Sequence, residues 1–472
     1  MQPAPKIKTF VPVYTVALGT FMSALDTSVV NVALPVIQTY FGVTLAMVEW
    51  VVIAYLMVIS SLLLTFGRLS DLYGHKKLYM IGFVVFTFGS LFCGLSGNII
   101  LLISSRVIQA LGAGMMFSTG PAIITDAVPD EVRGKALSVT AVAVAVALCA
   151  GPVLGGVLVS TVGWQSIFYI NVPIGIIGTI LAMKNIPKDT QNVSGGFDIM
   201  GSVLIFIALI LILLPLDLVG KENLNLVLFI GMMIAGLLMA IFFILHERKI
   251  KYPILNLSLF KNRVFAAGNL AAIFNFMAQF IMIFLVPFYL EQLRMFSPVT
   301  AGMLYIPMPL ATLVIAPISG IASDHFDSRY LSSSGMGIMA AGLLMLSYLQ
   351  TDTSNWYIII AMILAGLGSG MFQTPNNSAV MGNVPPENRG TASGVLSTMR
   401  NIGMVLGVAV SGALFSMNSN RAKVIYTEKG LKGLPLQQAS FIYAIHITFI
   451  TAAVVALLAM AASFVRGNVK QK

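Results

Sequence analysis

Charge is what this sequence has least of. Only 9% of its 472 residues are Asp, Glu, Lys or Arg, against roughly 25% in an ordinary soluble domain. A soluble protein of this length needs far more polar surface, so the scarcity leaves a multi-spanning membrane protein. Cysteine is scarcer still. Cys93 and Cys149 are the only two, and both fall in apolar runs, so neither a disulfide framework nor a thiolate metal site is supported. No DDxxD pair, HExxH or well-placed G-x-S-x-G occurs, which argues against an intramembrane enzyme working on lipid-linked substrates. No P-loop occurs either, which disfavours an ATP-driven pump. His75, His246 and His325 lie at loops, and His446 lies in a span without an obvious carboxylate partner. The N-terminus, MQPAPKIKTF, lacks a compact apolar core followed by a small-residue cleavage site, so a retained first span is expected rather than a signal peptide. Tails and loops are too short for the soluble signalling domain of a receptor.

What the sequence does have is apolar length: 58% of residues are hydrophobic. A helical span needs about 20 mostly apolar residues, because lipid satisfies no open backbone. Candidate spans fall near 12–36, 48–67, 78–97, 100–123, 138–160, 165–184, 198–219, 224–245, 264–290, 299–322, 331–350, 355–377, 393–416 and 440–464. The fold class expected is therefore an all-α polytopic membrane protein of about fourteen transmembrane helices. The net charge of +10 does not point to nucleic acid, because Lys and Arg cluster in short loops. With the N-terminus in the cytoplasm, most of them fall inside, while Lys221, Arg294, Arg421, Lys423, Lys429 and Lys432 fall outside. The positive-inside rule then places both termini in the cytoplasm. Arg106 and Arg400 remain within spans.

The sequence also repeats itself. LGAGMMFSTGPAIITDAVPDEVRGKA from Leu111 echoes LGSGMFQTPNNSAVMGNVPPENRGTA from Leu367, and Gly114 and Gly370 precede Arg133 and Arg389 by the same interval. GRLSD, ending at Asp71, is echoed by GIASD, ending at Asp324. Two homologous six-helix bundles follow, at 1–190 and 249–472, with a helix pair inserted at 191–248. Repeated halves suit a transporter whose site lies at their interface.

Against this apolar background, Asp26 stands out as an acid deep in a span. Burying it mid-helix costs about 2.5–3.5 kcal/mol on insertion scales, so a polar cavity or a partner is expected. Arg106 is the natural partner, at a similar depth, and Gln109 lies one turn along the same face. Amides and other side chains expected near a substrate cavity are Asn31, Tyr55, Gln109, Met115, Asn275, Gln279, Tyr305, Gln373, Asn376 and Asn377. The amides need partners in hydrocarbon, and Met and aromatic side chains offer adaptable apolar surface. Each of these residues also has a plainer reading, as helix packing.

Four motifs in order resemble the major facilitator superfamily, and within it the fourteen-spanner drug/proton antiporter branch. LDTSVVNVALP lies in span 1, GRLSDLYGHKKLY begins at Gly67, RVIQALGAGMM begins at Arg106, and GPVLGGVL begins at Gly151 and is followed by GWQSIFYINVPIG. The resemblance covers nearly the whole chain and implies two six-helix bundles with two inserted central helices. It implies a proton-coupled antiporter, not an enzyme, exporting small lipophilic drug-like compounds from the cell membrane of a bacterium as a monomer. Export of a metabolite, siderophore or amphipathic lipid is the alternative within the same fold. The partners implied are substrate, protons and lipid, with no cofactor and no metal. Asp26 and Arg106 would couple protons. Gly67, Asp71, Gly74, Lys76, Lys77 and Arg133 would form the cytoplasmic gate, although Leu72 and His75 stand where arginines are usual. Gly151, Pro152, Gly155 and Gly156 would form the antiporter motif, with Ala147 replacing a glycine often found one turn earlier.

Overall fold

A computed structural model describes residues 10–129, 132–187, 198–215, 226–250, 253, 255, 257–385 and 389–466, without the side chains of 133, 134, 213, 324 and 389–391. Fourteen main helices carry the fold. They are α1 (Val11–Phe41), α2 (Trp50–Tyr73), α3 (His75–Gly94), α4 (Ile99–Ala127), α5 (Arg133–Thr161), α6 (Asn171–Asn185) and α7 (Ile199–Leu213). The rest are α8 (Leu226–Glu247), α9 (Arg263–Phe288), α10 (Pro307–His325), α11 (Ser328–Ser347), α12 (Asn355–Gly382), α13 (Arg389–Glu428) and α14 (Gly433–Val465). Thirteen helical stretches of the described chain are long and apolar enough to cross a membrane. The fourteenth, α7, has 15 residues and falls short of a span; residues 216–225, where its expected end lies, are outside those described.

Local chemistry sets the helix ends. Gly42 closes α1 in the left-handed conformation (φ 63°), and Gly74 turns between α2 and α3 at φ 101°, a region other residues enter only with strain. Asn98, Asp198, Asn262 and Asp327 cap α4, α7, α9 and α11 by accepting backbone N–H groups through their side chains. The expected span at 299–322 is broken into Pro298–Tyr305 and α10 at Ile306, where Pro307 removes a donor and restarts the helix. The expected span at 393–416 continues helically to Glu428, so Arg421 and Lys423 sit on an extension of α13 rather than in a loop. Helix α9 runs into a π-helical turn, Tyr289–Leu293.

The packing repeats as the sequence does. In the first half α1 packs on α5, α3 on α4 and α6, and α2 on α4; in the second, α9 packs on α13, α11 on α12 and α14, and α10 on α12. Two six-helix bundles result. They meet where α2 lies against α13, and where α5 lies against Pro298–Tyr305 and the start of α10. Helices α7 and α8 pack on each other, and α7 rests on α2. Exposed Val227, Ile230, Ile234, Leu237, Leu238 and Ile241 make α8 apolar on its outer face, as contact with acyl chains requires.

Candidate functional site

Asp26 and Arg106 meet inside the first bundle, each only 1% exposed. Arg106 Nη1 donates to Asp26 Oδ2 at 2.6 Å. The other carboxylate oxygen accepts from Gln109 Nε2 at 2.8 Å and from Asn171 Nδ2, on the first residue of α6, at 2.9 Å. Arg106 has further partners of its own. Its Nε donates to the Val51 carbonyl at 3.0 Å, its Nη1 also reaches Gln109 Oε1 at 2.6 Å, and its guanidinium lies 4.0 Å from the centre of the Tyr55 ring. Gln109 Nε2 also donates to Ser90 Oγ at 2.6 Å. Five of the six helices of the bundle thus supply this cluster: α1, α2, α3, α4 and α6. Charge-assisted hydrogen bonds of this kind are the strong ones, and a buried pair survives only when its remaining donors and acceptors are met.

The pairing of Asp26 with Arg106 and the place of Gln109 beside them agree with the expectation. Asn171 and Ser90 do not figure in it. Asn171 lies inside the quoted GWQSIFYINVPIG as an amide in an apolar run, which is the one signal the sequence carried for it. Ser90 has none. Tyr55 and Gln109, expected at a cavity, are instead sealed in this cluster, at 1% and 0% exposure.

The other expected cavity residues are dispersed. Asn31 Nδ2 donates to the Thr27 carbonyl one turn back at 2.9 Å. Met115 packs beside Gly82, and Tyr305 is buried. Gln373 Nε2 donates to Ser369 Oγ at 2.7 Å, and that hydroxyl donates to Gln279 Oε1 at 3.4 Å, a short polar chain between α12 and α9. Asn376 joins a separate group: its amide donates to the Gly268 carbonyl at 3.1 Å and accepts from Arg466 Nη1 at 3.1 Å, while Arg466 Nη2 reaches Ser328 Oγ. Asn377 lies half-buried on α12, and Asn275 is wholly buried on α9.

At the junction of α2 and α3, Asp71 of α2 faces Arg68 on the same helix at 4.0 Å and His75, the first residue of α3, at 3.9 Å. Lys76 Nζ donates to the carbonyls of Met183 at 2.7 Å and Ile186 at 2.5 Å, so it caps the C-terminal end of α6, where a cation is favoured. Lys77 is exposed. Gly67 has open space around it. Arg133 opens α5, and its side chain is outside those described. The glycines of α5 divide by neighbour. A Cβ on Gly151 would strike Ser28, and one on Gly155 would crowd Val29, both on α1. One on Gly156 would stand 2.8 Å from Val299 Cα in the other half, and the Pro152 carbonyl packs on Gly302 there.

A family model described as Major Facilitator Superfamily matches residues 16–408 and 268–472. The chain belongs to the major facilitator superfamily. This superfamily member is a transporter, not an enzyme. It is 39% identical over 406 residues to the riboflavin transporter RibZ of Clostridioides difficile (strain 630), covering 85% of this chain and 87% of that one. It is 30% identical over 403 residues to the multidrug resistance protein Stp of Mycobacterium tuberculosis (strain CDC 1551 / Oshkosh), covering 84% and 74%. Its fold is similar to a bacterial homologue of the human lysosomal transporter Spinster in an inward-facing, unoccupied conformation, with TM-score 0.68, 16% identity, and 98% and 97% coverage. It is also similar to a D-xylose–proton symporter, with TM-score 0.65, 15% identity, and 95% and 97% coverage.

Proposed function

We propose that this transporter is a proton-coupled antiporter exporting lipophilic, drug-like compounds, with Asp26 as the coupling carboxylate. The reading is supported above all by the way Arg106 is held. If Asp26 takes a proton, Arg106 keeps the Val51 carbonyl, Gln109 Oε1 and the Tyr55 ring. The cation therefore does not become an isolated buried charge when its partner is neutralised, and the switch is far less costly than simple loss of a buried partner. Gln109 touches both members of the pair and transmits the change to Ser90 on α3. Because the cluster ties together five helices, its protonation alters how the whole bundle is braced. With the termini in the cytoplasm, Asp26 takes its proton in the outward-facing state as cargo leaves, and releases it in the inward-facing state as cargo binds.

The experiment is pH-jump export in proteoliposomes with Asp26→Asn and with the double variant Asp26→Asn, Arg106→Gln. The single variant loses pH-driven export at least tenfold. Its stability, read as the unfolding midpoint, falls by much less than the about 3–5 kcal/mol of an ordinary one-sided break of a buried pair, because Arg106 keeps its other acceptors. The double variant stays uncoupled. Unaltered proton dependence in Asp26→Asn refutes the role given to this residue. A second reading is export of a flavin-like metabolite. It is favoured by the 39% identity to a protein named a riboflavin transporter, and the same assay run with riboflavin and with drug-like dyes separates the two.

A further inference from the structure

Two arginines stand well inside the spans, and the protein treats them in opposite ways. Arg106 has three acceptors, on Asp26, Gln109 and Val51. Arg400 has none: among the described residues no hydrogen bond or ion pair reaches it. An aromatic face lies beside it: its guanidinium carbon is 5.6 Å from the centre of the Phe276 ring of α9. Arg400 lies eleven residues past Arg389 on α13, about 16 Å along the helix at 1.5 Å per residue. At that depth, bulk water at the membrane surface does not compensate it. Arginine holds its charge under all ordinary conditions, so it does not escape the cost by losing a proton.

Its surroundings are a seam rather than a sealed core. Six residues before it, Gly394 faces Leu64 of α2, in the opposite half. Three and seven residues after it, Gly403 and Gly407 pack on the backbone of Ile273 and Met277 of α9. Arg400 is half-buried, and its nitrogens are not among the sealed polar atoms that lack a partner, as Nε of Arg466 is. A half-buried cation with no acceptor among the described residues therefore rests beside an aromatic ring, next to the contact between the halves.

We propose that Arg400 is a substrate-recognition residue, selecting planar molecules that carry a carboxylate or a pair of carbonyl oxygens and rejecting organic cations. The planar guanidinium fork offers parallel donors matched to two coplanar acceptor oxygens, and the buried Phe276 ring supports the guanidinium from one side. The bound acceptor supplies the partner that the protein withholds. An organic cation meets like charge in a low-dielectric site. The inference narrows the substrate class of the transporter proposed above. It rests on that reading only for the presence of a small-molecule cargo, not for proton coupling.

The test is equilibrium binding to the purified full chain in detergent without a pH gradient, by ligand-induced shift of thermal unfolding. The probes are fluorescein (a carboxylate), riboflavin (a neutral ring with paired carbonyls) and ethidium (a cation). Wild type binds fluorescein or riboflavin at least tenfold more tightly than ethidium. Arg400→Gln weakens the acceptor probes roughly ten- to a hundredfold, the range expected for a charge-assisted bidentate contact, and leaves ethidium unchanged or tighter. Arg400→Lys restores fluorescein in part, through its point charge, but not riboflavin, which needs the fork. Should Arg400→Gln fail to fold, Phe276→Leu serves: it keeps the charge, and binding of the acceptor probes falls severalfold. A folded Arg400→Gln that binds the acceptor probes as wild type does, a wild type that prefers ethidium, or a wild type that binds none of the three overturns the proposal. Binding as expected, with pH-independent transport, sinks the proton-coupled reading alone.

Discussion

Asn275 lies wholly buried in α9, and neither polar atom of its amide meets a partner among the described residues. An unsatisfied buried polar group costs about 1–3 kcal/mol, whereas an apolar group of similar shape costs nothing of the kind. Asn275→Leu therefore stabilises the folded protein by about 1–3 kcal/mol, read as a raised unfolding midpoint in detergent. A lowered midpoint means that water or cargo satisfies the amide. The same reasoning shows what was legible residue by residue. A charge or an amide in an apolar run is visible at once, so Asp26, Arg106, Gln109 and Asn275 were flagged from sequence. Which of them has a partner is settled only by the approach of other helices. Asn171 and Ser90, which complete the Asp26 cluster, are ordinary residue types whose role arises when α6 and α3 close on α1 and α4. Tyr55 is expected at an open cavity, whereas its ring lies beneath Arg106, a contact that spacing along α2 does not encode.

Among the elements, α5 shows how a small-residue motif acquires two functions. Gly151 and Gly155 let α5 lie close on α1, within one bundle, whereas Gly156 and Pro152 face Pro298–Gly302 in the other. The sequence announces close packing through its glycines but not the partner, since every face of a lipid-embedded helix is apolar. The split yields a prediction. A Cβ at Gly156 would stand 2.5 Å from the Pro298 carbonyl oxygen, so Gly156→Ala overpacks the junction between the halves and leaves the α1 contact intact. Overpacking costs about 1–3 kcal/mol, and here the cost falls only on the conformation in which this junction is closed. The population shifts roughly 5- to 150-fold toward the alternative state. The shift is read as faster labelling of Gln38→Cys by a membrane-impermeant maleimide, in a background lacking Cys93 and Cys149. Unchanged labelling means the junction does not open in the cycle.

The whole molecule is two bundles with matching helix contacts, and the echo of the Arg133 and Arg389 loops made that duplication legible before any helix was placed. The way the halves touch was not legible, because it depends on which conformation the protein occupies. At the face opposite the termini, Gln292 Nε2 donates to Gln38 Oε1 at 2.7 Å, joining the π-helical turn after α9 to the end of α1. Close by, α5 meets Pro298–Tyr305. If transport proceeds by rocking of the bundles about a central site, this face must part once in every cycle, and a hydrogen bond between two half-exposed or exposed amides is weak enough to break each time. A covalent bond is not. In the cysteine-free background, Gln38→Cys with Gln292→Cys, bridged by a short bis-methanethiosulfonate cross-linker, therefore holds the halves together on this side and stops transport at least tenfold, and a reductant restores it. Binding of cargo from the opposite side persists in the cross-linked protein, which separates a blocked conformational step from a damaged site. Transport at the wild-type rate with the cross-link formed would show that these two helix ends never separate, and that the bundles do not rock about this junction.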